Sequence, residues 1–306
     1  MSSLTHDLII VGGGPAGLTA ALYAGRSRIK TLILEKMSLG GRILMSESIE
    51  NFPGFPGGVS TQDLIARMEQ QVKELGVEIA GEEVLDLDCQ HKSVKTESNI
   101  YKAKAIIIAC GARPRKLGVK GEEELTGRGV SYCATCDGPL YKEKNVVVVG
   151  GGNAVAEEAL YLTRFANSVT IVHRRNDLRA SAILQERLKE NKKIKFILNS
   201  VISQINGSRK VESLKIKEVS NGQEQDLACD GVFIYIGYEP ETNFIKKGLK
   251  LDEAGFVVAK EDLSTSCEGV FVCGDCRQKS LYQVITACGD GAVAADSAYK
   301  YIATVR

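Results

Sequence analysis

No stretch of the 306 residues approaches the roughly 18 consecutive apolar residues of a membrane span. An excess of either charge is also lacking, since 39 Lys and Arg stand against 38 Asp and Glu and leave a formal net charge of +1. So balanced a chain offers no global electrostatic basis for binding nucleic acid or an anionic membrane. Proline is scarce, at 6 residues, and the three histidines, His6, His91 and His173, are scattered. The polar opening, residues 1–7, leads straight into a strand-like run and shows no signal-peptide pattern, so a cytoplasmic location is expected. Nine cysteines at irregular spacing do not form the framework of a small secreted domain. A reducing compartment, with any disulfide transient and catalytic, fits them better.

What is present is globular. Apolar residues make up 44% and charged residues 25%, and at roughly 150 residues per domain the length points to two domains. Residues 7–11 (DLIIV) read as a buried strand. Gly12-Gly13-Gly14-Pro15-Ala16-Gly17 and an alanine-rich helical stretch to about Arg28 follow, then a second strand at 31–35 (TLILE). This is a βαβ start with G-x-G-x-x-G at the strand-to-helix turn. The plan recurs with a strand at 145–149 (NVVVV), a turn at Gly150-Gly151-Gly152-Asn153, a helix expected over 157–166 and a strand at 168–173 (SVTIVH). Both units end alike, 105–109 running into Gly111-Ala112-Arg113-Pro114 and 231–236 into Gly237-Tyr238-Glu239-Pro240.

Beyond residue 240 no third unit begins. A short strand-like run at 269–275 (GVFVCGD) and an alanine-rich helix over about 283–302 remain, too little to stand alone. The expected fold is therefore α/β, with two Rossmann-like three-layer domains, the second inserted into the first. Residues 1–113 and 243–306 form the expected first nucleotide-binding domain, and 114–242 the inserted second one.

In the first fingerprint Gly12 serves the tight turn, Gly14 the close approach of a pyrophosphate and Gly17 helix–strand packing, while Glu35 ends the second strand where an acid hydrogen-bonds an adenosine ribose. The second fingerprint ends its strand in His173-Arg174-Arg175, with Arg179 four residues on. Guanidinium groups there suit a 2′-phosphate and favour NADP(H) over NAD(H). Val155 fills the position usually held by Gly or Ala and is expected to push helix and strand slightly apart. An ordinary glycine-rich turn and a solvated basic helix start are the competing readings. Together the two sites point to a bound flavin and a diffusing NADPH, with hydride transfer between them.

Cys133-Ala134-Thr135-Cys136-Asp137 lies just before the second unit. A C-x-x-C loop brings Cα atoms within the roughly 4.4–6.8 Å that a disulfide needs and depresses thiol pKa. Asp137 is placed to shuttle the exchanged proton. Zinc is the rival reading and needs a second pair of ligands. A second C-x-x-C, Cys273-Gly274-Asp275-Cys276, sits in a strand-Gly-Asp turn, where Asp275 suits a flavin ribityl chain. Cys273 and Cys276, like Cys89, Cys110, Cys229, Cys267 and Cys288, read as small buried residues.

CATCDG at 133–138, with GGGPAG before it and HRRNDLRA after it, resembles the low-molecular-weight thioredoxin reductases, and so do Gly40-Gly41, ENFPG at 50–54, GRGV at 127–130 and Glu157-Glu158-Ala159. The resemblance covers nearly the whole chain. It implies a Cys136 that lies against the flavin, a Cys133 that attacks thioredoxin and an Asp137 that acts as acid and base. It implies FAD contacts at Gly12, Gly14, Ala16, Glu35, Gly40, Gly41, Asn51, Asp275 and Gln283, and NADPH contacts at Gly152, Asn153, Arg174, Arg175 and Arg179. Cofactor contacts extend to Pro15, Gly17, Lys36, Arg42, Val84, Ala109, Gly111, Ala154, His173, Gly237, Gly274 and Val284. The partner implied is thioredoxin, and the assembly a homodimer. Arg42, Tyr282, Cys110 and the Ala154-Val155 pair depart from the usual pattern, and all lie away from the dithiol. The alternatives are a flavoprotein dithiol oxidase, a reductase fed by ferredoxin or another flavin donor, and a flavin-holding redox sensor.

Overall fold

The computed structural model describes residues 3–45, 48–49 and 51–305, so Glu50 of the ENFPG segment lies outside the described residues. The chain forms two compact units, one of residues 1–113 and 239–306, the other of residues 114–238. The second boundary thus falls after Tyr238, where the sequence placed it after 242.

In the first unit the order across the sheet is Glu78–Ala80, Thr31–Leu34, Ser3–Val11, Ile100–Ile108, Ser93–Lys95, Asp86–Asp88, with Val270–Val272 also paired to Ile100–Ile108. The strands around Ser3–Val11 run parallel, and their register aligns Val11 with Leu34 and with Ile108, and Ile108 with Val272. Four strands therefore end in one row. The glycine turn, Glu35, Gly111 and Asp275 all leave the sheet from that carboxyl edge. Ser3–Val11 has its sequential partner on one side and a later strand on the other, which makes this edge a topological switch point.

Alternation along the strands builds the layers. Leu8, Ile10, Ile33 and Ile107 face one apolar core with Leu18, Ala20, Ala24, Ala294 and Ala298, while Ile9, Val11, Leu32, Leu34, Ile106 and Ile108 face the other with Leu87, Val94, Ile245 and Val257. These strand residues are almost completely buried, each side chain stabilising the fold by roughly 1.5–3 kcal/mol. Small residues let the terminal helix, Val284–Thr304, press onto the fingerprint helix, Pro15–Arg26. A Cβ on Gly291 would stand 2.3 Å from the carbonyl oxygen of Ala16.

The second unit repeats the plan. Its five-stranded sheet, Val130–Ser131, Gly231–Tyr235, Asn145–Gly150, Ser168–Val172, Ile194–Ile197, is parallel throughout. Helices cover one face, and an antiparallel sheet of Ser200–Asn206, Ser213–Glu218 and Glu224–Ala228 covers the other through Ile202, Ile205, Leu214 and Ile216. The helix expected over 157–166 spans Asn153–Leu162 instead. It begins directly after the glycine turn, because Gly152 is already its extended N-cap, and the chain leaves it at Thr163. No helix among the described residues is long and apolar enough to cross a membrane.

Candidate active site

The strand Val130–Ser131 delivers the chain to Cys133, whose extended backbone caps the one-turn helix Ala134–Asp137. That turn folds the C-x-x-C segment back on itself. Cys133 and Cys136 are joined in a disulfide with their Cα atoms 5.3 Å apart. Cys133 Sγ accepts the Cys136 N–H at 3.2 Å and lies 3.3 Å from Thr135 Oγ1. Both cysteines are half-buried, so the bond is held by the fold yet open to attack. The contrast with the free thiols is chemical, since burial pushes Cys89 and Cys229 up to about 12, where almost no thiolate forms at neutral pH.

Asp137 completes the group. Its Oδ2 accepts the Ser131 hydroxyl at 2.6 Å, while Ser131 Oγ accepts the Cys133 N–H at 3.1 Å. Burial raises the Asp137 pKa above the ordinary carboxylate value, and the Ser131 hydrogen bond opposes the rise. A carboxyl shifted towards neutrality beside a dithiol can hold and return a proton.

At the carboxyl edge of the first unit Gly12 has φ +108°, and a Cβ there would stand 2.4 Å from the Ala109 carbonyl oxygen. A Cβ on Gly17 would meet the Gly12 oxygen at 1.9 Å, which is why the helix can start so close to the strand. Gly14 differs, since its nearest neighbour would be 3.9 Å away, leaving a backbone cradle at an N-terminus without a side-chain cap. Glu35 Oε2 accepts the Gly13 N–H at 2.7 Å and its Oε1 accepts the Met37 N–H at 3.0 Å, so the ribose-position acid is fixed against the turn. Gly40 donates to the Gly13 carbonyl at 2.9 Å and brings the Gly40-Gly41 turn against the fingerprint.

Asp275 pairs with Arg42 Nη2 at 2.9 Å and with Lys279 Nζ at 2.9 Å. Arg42 Nη1 also donates to the Ala112 carbonyl. Asn51 donates to Gln283 Oε1 at 3.0 Å, and Gln283 is the N-cap of the helix that begins at Val284. Lys36 lies 3.7 Å from Glu241, and Val84 and Ala109 are buried.

In the second unit Gly152 has open space where a Cβ would be, again at an N-cap without a side-chain cap. Gly151 lies under the ring of His173, which a Cβ would strike at 2.3 Å. Burial, then Arg179, Arg174 and Arg175, lower the His173 pKa, and its buried Nε2 has no hydrogen-bond partner. Arg174, Arg175 and Arg179 are exposed on the same segment, and the Arg179 N–H donates to the Gly151 carbonyl at 2.6 Å. Asn153 Oδ1 accepts the Ser181 N–H at 2.8 Å and so binds the two fingerprint segments to each other. Val155 is buried, its Cγ2 at 2.7 Å from a Cβ placed on Gly150, so the small residue that the bulky one requires lies across from it.

Several contributors carry no sequence motif. Ser131 bonds Asp137. Asp290 is bound by Arg277 Nη2 at 2.7 Å and accepts the Gly274 N–H at 3.1 Å, which fixes the turn before Asp275. Ser131 stands two residues before Cys133, a spacing that could have marked it, whereas nothing in the sequence pairs Arg277 with Asp290.

Two nucleotide turns and a closed dithiol in one chain find their counterpart in known proteins. Residues 6–291 match the pyridine nucleotide-disulphide oxidoreductase family. Thioredoxin reductase of Peptoclostridium acidaminophilum is 45% identical over 305 residues, 97% of each chain. The chain belongs to this family, in its thioredoxin reductase branch. Thioredoxin reductase of Listeria innocua is 47% identical over 302 residues, 97% of this chain and 94% of that one. The crystal structure of thioredoxin reductase from Streptococcus pyogenes matches with a TM-score of 0.91 at 43% identity, covering 99% of this chain and all of that one. A family of pyridine nucleotide-disulphide oxidoreductases works with flavin and nicotinamide cofactors, for which this chain's two glycine turns are suited.

Proposed function

We propose that this chain is an NADPH-dependent FAD enzyme that reduces the disulfide of a thioredoxin, working as a homodimer in the cytoplasm. The observation that carries the reading is the Cys133–Cys136 disulfide, formed in a chain with two fingerprints that differ at the ribose position, Glu35 in one and Arg174-Arg175 in the other. The open cradles at Gly14 and Gly152 fit pyrophosphates, since both lie at helix N-termini whose N–H groups lack a side-chain cap. Gly12, Gly14, Ala16, Glu35, Gly40, Gly41 and Asp275 would hold FAD. Gly152, Arg174, Arg175 and Arg179 would hold NADPH, the guanidinium groups reading its 2′-phosphate.

Bound FAD supplies the two-electron chemistry that takes reducing equivalents from NADPH to the disulfide. The protein's own steps are thiol chemistry. Cys133 thiolate attacks the thioredoxin disulfide, forming a mixed disulfide and releasing one thioredoxin thiolate. Cys136 thiolate then attacks Cys133 Sγ, which restores the Cys133–Cys136 bond and releases the second thioredoxin thiolate. Asp137 takes up and returns a proton as these thiolates form and leave. The backbone N–H of Cys136, donated to Cys133 Sγ, favours negative charge on that sulfur.

Stopped-flow spectroscopy of the purified protein tests the reading. Bleaching of flavin absorbance by NADPH, followed by its recovery on adding oxidised thioredoxin, is the expected sequence. A colourless protein that takes up no FAD, or bleaching that thioredoxin does not reverse, would overturn it.

A further inference from the structure

Behind the dithiol turn lies a polar contact outside every recognised motif. The hydroxyl of Tyr235 accepts the backbone N–H of Ala134. Ala134 follows Cys133 directly and is fully buried, so its N–H has no route to water. Tyr235 is the last residue of the strand Gly231–Tyr235. A tyrosine hydroxyl has one hydrogen and two lone pairs. The Ala134 N–H occupies one of those lone pairs.

We propose that Tyr235 is a positioning residue of the redox couple, whose hydroxyl holds the Ala134 N–H in the ring-closed turn and thereby sets how readily the Cys133–Cys136 disulfide is reduced. The inference rests on reading these cysteines as the enzyme's redox couple. While the disulfide is closed, its ring fixes Ala134 in place. Without the tyrosine oxygen, the buried donor stays unpaired and bears its full desolvation cost. Once the ring is opened to two thiols, the turn relaxes and the N–H finds another acceptor. Loss of the hydroxyl therefore falls on the disulfide form and favours the dithiol.

The test equilibrates the FAD-loaded protein anaerobically in graded dithiothreitol buffers, in which one dithiothreitol becomes its cyclic disulfide for each protein disulfide reduced. Acid quenching, alkylation and mass spectrometry of the peptide holding both cysteines give the reduced fraction. Tyr235→Phe is expected to move the midpoint so that the reduced form is favoured about tenfold, which corresponds to about 30 mV for two electrons. Tyr235→Leu, which lacks the acceptor as well, moves it the same way. A Tyr235→Phe midpoint that is unchanged or moves the other way overturns the proposal, provided thermal melting shows the variant folded. A Tyr235→Leu midpoint that is unchanged overturns it equally. The readout uses neither NADPH nor thioredoxin, so either failure is distinct from failure of the proposed enzyme activity.

Discussion

Ser131 and Asp137 are joined by a 2.6 Å hydrogen bond that spans the dithiol turn from its first strand to its last helical residue. The serine also holds the Cys133 N–H, so one hydroxyl ties the carboxyl to the backbone of Cys133. Asp137→Asn keeps the shape of the side chain and removes its proton chemistry. The expected result is a loss of roughly 100-fold or more in the rate at which thioredoxin reoxidises the reduced enzyme, in the range found when a general acid–base group is removed. Ser131→Ala removes the one contact that opposes the rise in the Asp137 pKa. It is expected to shift the alkaline limb of the pH–rate profile upward, with an unshifted limb counting against Asp137 as the titrating group.

Cys136→Ser separates the two half-reactions. NADPH is still expected to bleach the flavin of this variant, because neither nucleotide turn contains the cysteine. Thioredoxin reduction is expected to vanish, since a single remaining thiol cannot restore the Cys133–Cys136 bond found here. Full turnover in this variant, measured as NADPH consumption with thioredoxin, would remove the dithiol from the mechanism.

How much of this was legible in the sequence varies with the range of the interaction. The fingerprint turns are visible because Gly12 follows, and Gly150 closes, a strand that ends in an apolar run, a local pattern with a local cause. The tail beyond residue 240, too short to stand alone, points to an inserted second unit, although the boundary at Tyr238 lies four residues earlier than the sequence places it. The helix start at Asn153 was missed because Gly152 and Asn153 read as turn residues, whereas one is the cap and the other already helical. Tyr235 reaches Ala134 across 101 positions, and no periodicity or motif encodes such a pair. Asn153 was read as a nucleotide contact, while its side chain accepts a hydrogen bond from Ser181.

Glycines of the fingerprints divide into two kinds that substitution can tell apart. Gly17→Ala places a methyl 1.9 Å from the Gly12 oxygen and is expected to destabilise the first unit by several kcal/mol, with loss of FAD retention. Gly152→Ala meets nothing within 4 Å. Its melting temperature is expected to stay within a few degrees of the unaltered protein, while NADPH binding weakens at least tenfold because the methyl occupies the pyrophosphate's approach. Unweakened binding in a folded Gly152→Ala protein would place the nucleotide elsewhere.

Arg174 and Arg175 are exposed, so removing them is expected to cost little stability. The double substitution Arg174→Ala, Arg175→Ala is expected to weaken NADPH by about 10- to 100-fold through lost charge-assisted bonds, and NADH by less than about threefold. Titration calorimetry with both nucleotides makes the comparison. Equal losses would mean that the arginines act on the shared parts of the two nucleotides and not on the 2′-phosphate.

Glu158 is a carboxyl whose burial, with Glu157 nearby, pushes its pKa up to about 7, above the ordinary 4.5, and the Tyr235 hydrogen bond only partly opposes this. A group shifted in this direction favours the fold while protonated. Its stabilising effect is fully present below about 4.5, declines as the pH rises and is lost through about 7. Glu158→Gln stays neutral throughout, so its stability relative to the unaltered protein is expected to rise across that window and level off above it. The gain at pH 8 is about 2 kcal/mol, after allowing for the water that screens a partly covered side chain. Denaturant unfolding at pH 4.5 and pH 8 provides the check. A difference between the two proteins that does not change with pH would show that Glu158 is already ionised without cost in the folded state.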